Sequence, residues 1–118
     1  KLAIYIVAME DDKVIGYAGM WHVVTEGHIT NIAVHKDYRG KGVGQALVKG
    51  LIDIAKEKEM IGVTLEVRPS NETALHICKK YGFKLSGVRK EYYDDNKEDA
   101  YIMWCYLVPP EEIEGEIF

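Results

Sequence analysis

Arg39-Gly40-Lys41-Gly42-Val43-Gly44 is the stretch on which the fold turns. It follows a β-branched, apolar run at 29–34 and leads into a long amphipathic stretch at 42–58. Glycines at alternate positions let the backbone curl tightly and turn its N–H groups outward. The helix that follows starts with unpaired N–H groups and the positive end of its dipole. Arg39 and Lys41 add positive charge. A strand, a glycine-rich turn and a helix start together form a cradle for a phosphate or pyrophosphate. The plainer alternative is a flexible strand-to-helix link.

Outward from that loop, the pattern alternates between strands and helices. Runs at 2–9 and 14–24 flank the polar turn 10–13 and read as a hairpin. A third strand covers 28–34. In the helix at 42–58, Val43, Leu47, Gly50, Leu51, Ile54 and Ala55 recur at three and four, a stripe for packing on a sheet. A fourth strand covers 61–67, with Ile61, Val63, Leu65 and Val67 on one side and Thr64 and Glu66 on the other. Arg68-Pro69-Ser70-Asn71 stops it, and Ser70 or Asn71 can cap the next helix. Ala74, Ile77, Cys78 and Tyr81 form that helix's stripe, and Gly82 ends it. Strands at 83–93 and 100–108 enclose the polar turn 94–97. The order predicts an α/β chain with a mixed, mostly antiparallel sheet, helices on its faces and one parallel pair made by the strand–helix–strand crossover. Residues 1–108 read as one domain and 109–118 as an acidic tail.

The 118 residues, 47% of them hydrophobic, suit one small core. With 15 basic and 19 acidic residues, the net charge of −4 speaks against nucleic acid and suits a cationic acceptor such as an amine. No apolar run has the length of a membrane span, and no signal peptide precedes the first strand. Cys78, Cys105 and four scattered histidines make no zinc spacing, so no metal is expected, and a reducing, cytoplasmic setting is the simplest.

The loop lacks the Gly-Lys-Ser/Thr end of a Walker A motif, and the third glycine of a dinucleotide fingerprint is missing at Gln45 and Leu47. What fits is Arg-x-x-Gly-x-Gly at Arg39, Gly42 and Gly44. It resembles the pyrophosphate loop of the GNAT superfamily of acetyl-CoA-dependent N-acetyltransferases. NIAVHKDYRGKGVGQAL at 31–47, LEVRPSNETAL at 65–75, KKYGF at 79–83 and RKEYYDDNKEDAYIM at 89–103 extend the likeness to the RimI type, which acetylates protein N-termini. The resemblance covers about residues 3–107, and the chain begins where the family's second strand would stand.

The resemblance implies that the third strand and the strand carrying Glu66 splay apart around acetyl-CoA. Backbone groups of Ile32, Ala33 and Val34 would hold its pantetheine arm, and an N–H near Ile32 would polarise the thioester carbonyl. Arg39, Gly40, Lys41, Gly42, Val43, Gly44 and Gln45 would wrap the pyrophosphate. Asn71 would reach the cofactor arm, or else cap its helix. Glu66 is the candidate general base, against a solvent-facing place on an alternating strand. A protein α-amine, with a pKa of about 7.7–8.0, needs only modest help, whereas a lysine amine at about 10.4 needs more. At Cys78 the family carries a tyrosine that protonates the leaving thiolate. Cys78 is thus a candidate acid, or simply a small buried residue. His28 is a second base or a strand-edge histidine. Tyr92 and Tyr93 alternate across a strand, so only one of them can face the acceptor peptide that this hairpin contacts in the family, and at least one is a strand-packing aromatic. The implied acceptor is a protein N-terminus, ribosomal proteins included. A small amine, a lysine side chain, or a non-catalytic acyl-CoA-binding role are the alternatives.

Overall fold

The computed structural model describes residues 2–109. The acidic tail expected at 109–118 therefore lies, apart from Pro109, outside the described residues. The elements are β1 (Leu2–Glu10), β2 (Lys13–Val23), β3 (Glu26–Val34), a short 3-10 turn (Lys36–Tyr38), α1 (Val43–Glu57), β4 (Gly62–Val67), α2 (Glu72–Lys80), β5 (Lys84–Arg89) and β6 (Ala100–Tyr106). The sheet runs β1-β2-β3-β4-β6-β5. Every neighbouring pair is antiparallel except β3 and β4, the pair joined through α1.

That parallel pairing is brief. It covers Glu26↔Gly62, Gly27↔Val63 and His28↔Thr64, and then the two strands part. The cause lies on the other edge of β3. Gly19 pairs with Asn31 but Met20 with Ile29, so Thr30 is an extra residue in β3. Such a bulge bends its strand and raises the local twist. It sits where β3 leaves β4.

α1 packs across β1, β2 and β3. Leu47, Val48, Leu51, Ile52 and Ala55 are buried, so the apolar stripe is wider than the sequence spacing had suggested. Each large side chain buried there contributes about 1.5–3 kcal/mol. The close approach needs Gly16: a Cβ there would stand 2.9 Å from the Ala33 carbonyl oxygen and 3.2 Å from Leu47. Cys78 of α2 joins the same core cluster as Val63, Val67, Met103 and Cys105. A Cβ on Gly44 of α1 would meet Ile77 of α2 at 3.6 Å. Both helices therefore flank one face of the sheet. On the other face Tyr5, Val7, Met9 and Tyr17 are exposed.

Several boundaries shift by a residue or two, β6 ending at Tyr106 where 108 was expected, and two differences bear on the site. β3 begins at Glu26, two residues early, because Glu26 and Gly27 pair with both Val23 and His22 of β2 and with β4. β5 stops at Arg89 and does not reach 93. Glu91 takes a positive φ of 47° and its N–H donates to the Asp99 carboxylate, which turns the chain out of the sheet.

Candidate active site

Where β3 and β4 part, a cleft of about 580 Å³ opens. Residues 29–34 form one wall and 65–68 the other; α1 and α2 close it with Gly44, Val48, Ala74, Ile77 and Cys78. Beyond His28 the β3 edge has no β4 partner, so its backbone groups there can pair with a guest. Ile32, Ala33 and Val34 all line this wall.

The glycine loop lies at the same end of the sheet. Gly40 and Gly42 have φ of 76° and 84°, conformations that cost a side-chain-bearing residue about 1–2 kcal/mol. Gly42 is the N-cap of α1 and supplies no capping side chain, which leaves the first-turn N–H groups for an anion. Arg39 and Gly44 reach the cleft wall, whereas Gly40, Lys41, Gly42, Val43 and Gln45 stand beside it. Arg39 Nε donates to the Val34 carbonyl at 3.3 Å, fastening the loop to β3. Lys41 Nζ lies 5.4 Å from the Tyr38 ring centroid. Gln45 Oε1 accepts from Lys80 Nζ at 2.6 Å, so a further cation from the end of α2 stands at the start of α1.

Glu66 occupies the fork itself. A second, smaller cavity of about 180 Å³ is lined by His28, Ile29, Thr64, Leu65, Glu66, Arg89 and Ile102. Ile29, Leu65 and Glu66 line both cavities, so the two meet at these residues. Thr64 and Glu66 alternate with the buried Val63 and Val67 and so point away from the helices. The Glu66 carboxylate is not free: Arg89 Nε is 3.1 Å from Oε2. His28 Nε2 is 2.7 Å from Glu26 Oε1, which directs its ring along β3 beside the smaller cavity.

On α2, Asn71 is the N-cap. Its Oδ1 accepts from the Ala74 N–H at 3.1 Å, while the residue also lines the cleft. The capping alternative is thus realised, and its amide nitrogen alone remains to meet a guest. Cys78 is buried at 3% exposure, and loss of solvent, then the neighbouring Cys105, push its thiol up to about 11.

Tyr92 and Tyr93 do not alternate across a strand, because β5 has already ended. They sit edge to face in the irregular 90–99 connection, ring centroids 5.1 Å apart. Tyr93 lines the larger cleft; Tyr92 lines neither cavity and turns toward Arg89, 6.0 Å from its ring. Burial raises the Tyr93 phenol above its ordinary pKa, with Arg68 opposing.

Sequence reasoning missed Arg68 and Arg89. Arg68 lies 3.8 Å over the Tyr93 ring and forks onto Asp95 at 3.1 Å. The signal was present: an arginine just past a strand end and an acidic run at 94–99 without a stated partner.

The acetyltransferase (GNAT) family model matches residues 2–83. A Bacillus subtilis protein provisionally named ribosomal protein bS18-alanine N-acetyltransferase is 44% identical over 103 residues, covering 87% of this chain and 68% of that one. The Escherichia coli ribosomal protein bS18-alanine N-acetyltransferase is 36% identical over 96 residues, 80% of this chain and 65% of its own. The crystal structure of the Escherichia coli ribosomal-protein-S18-alanine N-acetyltransferase superposes with a TM-score of 0.85 at 31% identity, covering 96% of this chain and 75% of that one. The chain thus spans about two thirds of the length of the curated relatives named here. A GNAT acetyltransferase from Elizabethkingia anophelis with acetyl-CoA bound shares the fold, with a TM-score of 0.80. With its family model matched over most of the chain and its splayed sheet shared with these enzymes, the chain belongs to the acetyltransferase (GNAT) family, on its RimI-like N-acetyltransferase side.

Proposed function

We propose that this chain transfers acetyl from acetyl-CoA to the α-amino group of a protein N-terminus, with a ribosomal protein as the acceptor and the cytoplasm as the setting. The observation that carries the reading is the meeting of two cavities at Glu66. The larger has the size and the unpaired strand edge to take a pantetheine arm, and it ends at a helix N-terminus fit for a diphosphate. The smaller opens on the opposite face and suits a small first residue. Acetyl-CoA, when bound, supplies the activated thioester.

The residues divide the work accordingly. The free N–H groups of β3 past the bulge stabilise negative charge on the acyl oxygen. Arg39, Gly44 and the first turn of α1, with Gly40 to Gln45 around them, hold the diphosphate. Glu66 takes a proton from the amine, directly or through one water. An α-amine with a pKa of about 7.7–8.0 is already partly neutral at physiological pH, so a carboxylate suffices. His28 borders the acceptor side and stays paired with Glu26. Tyr93, rather than Tyr92, lines the larger cleft together with Glu66, and so is the tyrosine to meet the acceptor amine at the Glu66 end. Cys78 is a poor acid: passing a proton from a thiol near 11 to a thiolate of ordinary pKa, about 8.5, is uphill by about 3 kcal/mol. It serves as an apolar wall, and the thiolate departs toward solvent.

The test is thiol release from acetyl-CoA with alanine-initiated peptides whose N-terminus is free or blocked, beside small amines and lysine-containing peptides. Release only with the free N-terminus supports the reading. Equal rates with both peptides would overturn it, and coenzyme binding without release on any acceptor would favour a non-catalytic acyl-CoA-binding domain.

A further inference from the structure

We propose that Arg68 is a positioning residue for this transfer. Its guanidinium holds the 90–99 connection against the cleft mouth and sets Tyr93 beside Glu66. The inference rests on the functional reading above.

The connection is held by short-range bonds of its own, none of which ties it to the sheet. It belongs to no strand, and both Glu91 and Lys97 take positive φ. Its internal backbone bonds are Tyr93 N–H to the Glu98 carbonyl at 3.2 Å and Lys97 N–H to the Tyr93 carbonyl at 3.0 Å. Asp99 adds a bond to the Glu91 N–H at 2.9 Å and an ion pair to Lys90 at 3.4 Å. Within the connection the Asn96 N–H donates to Asp95 Oδ1 at 2.9 Å, the Glu98 N–H to Asn96 Oδ1 at 3.0 Å and Asn96 Nδ2 to Glu98 Oε1 at 3.4 Å.

The β4–α2 turn ties this connection to the cleft. Arg68 Nη2 donates to both Asp95 oxygens at 3.1 Å, and Nη1 donates to Asn96 Oδ1 at 3.1 Å and to Glu98 Oε1 at 3.5 Å. Two residues on, the Ser70 N–H and hydroxyl donate to Glu98 at 2.8 and 2.9 Å. The same guanidinium plane covers the Tyr93 ring. One planar fork thus fixes the loop and its aromatic residue together, which a lysine ammonium cannot do. Arg68, Glu66 and Tyr93 all line the larger cleft, and Glu66 alone of the three also lines the smaller, so the fork acts on the acceptor through the Glu66 end of the site.

The experiment compares wild type with Arg68→Gln, Arg68→Lys, Asp95→Ala, Tyr93→Ala and the double variant Arg68→Gln/Tyr93→Ala. Initial rates are measured against an alanine-initiated peptide and against acetyl-CoA, with hydrogen exchange of residues 90–99 alongside. Arg68→Gln and Asp95→Ala should each raise the acceptor KM about tenfold and leave the acetyl-CoA KM within about twofold. Arg68→Lys should fall between. The double variant should be no worse than Tyr93→Ala alone, because both changes remove one function. Asp95→Ala reaches the fork from the exposed end and serves if the Arg68 variants fail to fold. Multiplying single effects in the double variant, or equal rises in both KM values, would overturn the proposal. If wild type transfers acetyl to no peptide, the functional reading fails separately. Faster exchange at 90–99 in Arg68→Gln would then still support the clamp, and unchanged exchange would refute it.

Discussion

Arg89 Nε stands 3.1 Å from Glu66 Oε2, reaching over Ile102, which pairs with Glu66 on one side and Gly87 on the other. The carboxylate at the fork therefore carries a cation on the face where an acceptor would enter. With side chains 34% and 57% exposed, such a pair contributes at most about 1 kcal/mol, so an incoming ammonium can displace the guanidinium. Glu66→Gln should lower kcat by roughly 10²–10⁴ while coenzyme affinity stays within about twofold. Arg89→Gln should change kcat by less than about fivefold. Steady-state rates with coenzyme titration check both. An Arg89→Gln loss as deep as that of Glu66→Gln would make the ion pair, not the carboxylate alone, the working unit.

How far the sequence carried the site depends on how local each cause is. The glycine loop, the capping of α2 by Asn71 and the packing stripe of α1 are set by residues within a few positions of one another, and periodicity displays them. The parting of β3 from β4 is not local. It depends on a bulge at Thr30 that appears only when β3 is laid against β2. The end of β5 at Arg89 was hidden for a similar reason: Glu91 leaves the strand because Asp99, eight residues on, accepts its N–H. Tyr92 and Tyr93 look like an alternating strand until that bond is seen. Arg68 has partners 27 to 30 positions away, a distance at which composition alone assigns none.

Gly42 separates shape from charge at the anion cradle. A Cβ there meets nothing within 4 Å, so bulk alone is not the obstacle; its φ of +84° is. Gly42→Asn should cost about 1 kcal/mol of stability or less, since asparagine tolerates that conformation. Gly42→Asp adds a negative charge at the α1 N-cap and should raise the coenzyme dissociation constant at least about tenfold beyond the asparagine variant. Thermal melts and coenzyme titrations of the pair distinguish the effects. Equal dissociation constants would place the diphosphate elsewhere.

The clamp should open in acid. The Arg68 fork holds the Asp95 carboxyl below its ordinary value, and the Ser70 hydroxyl does the same first for Glu98. Both native carboxyls bind protons less readily than in the unfolded chain, so their contribution is complete above ordinary carboxylate pKa values and fades as pH falls through the lowered ones. Protection of the 90–99 amides, relative to exchange of the unfolded chain at the same pH, should be flat from pH 7 to about 5 and fall below about 4. An onset near 6 would implicate a histidine instead.

Cys78 decides whether this chain uses a side-chain acid at all. Its thiol is pushed up from 9.0 to about 11, chiefly by burial. The native state therefore keeps a proton that the unfolded chain releases, and this contribution to stability falls away as pH rises between about 9 and 11. At pH 8 the thiolate is scarce and enclosed, so alkylation of the native protein should be far slower than that of the unfolded chain. If Cys78 is only wall, Cys78→Ala should cost about 1 kcal/mol of stability and leave kcat within about threefold across pH 6–9. If it donates the proton, kcat should drop at least about tenfold, and Cys78→Ser should not restore it, because an alcohol gives up its proton less readily still. The pH profile of the alanine variant distinguishes the two: a wall leaves its alkaline limb in place, whereas an acid removed takes that limb with it.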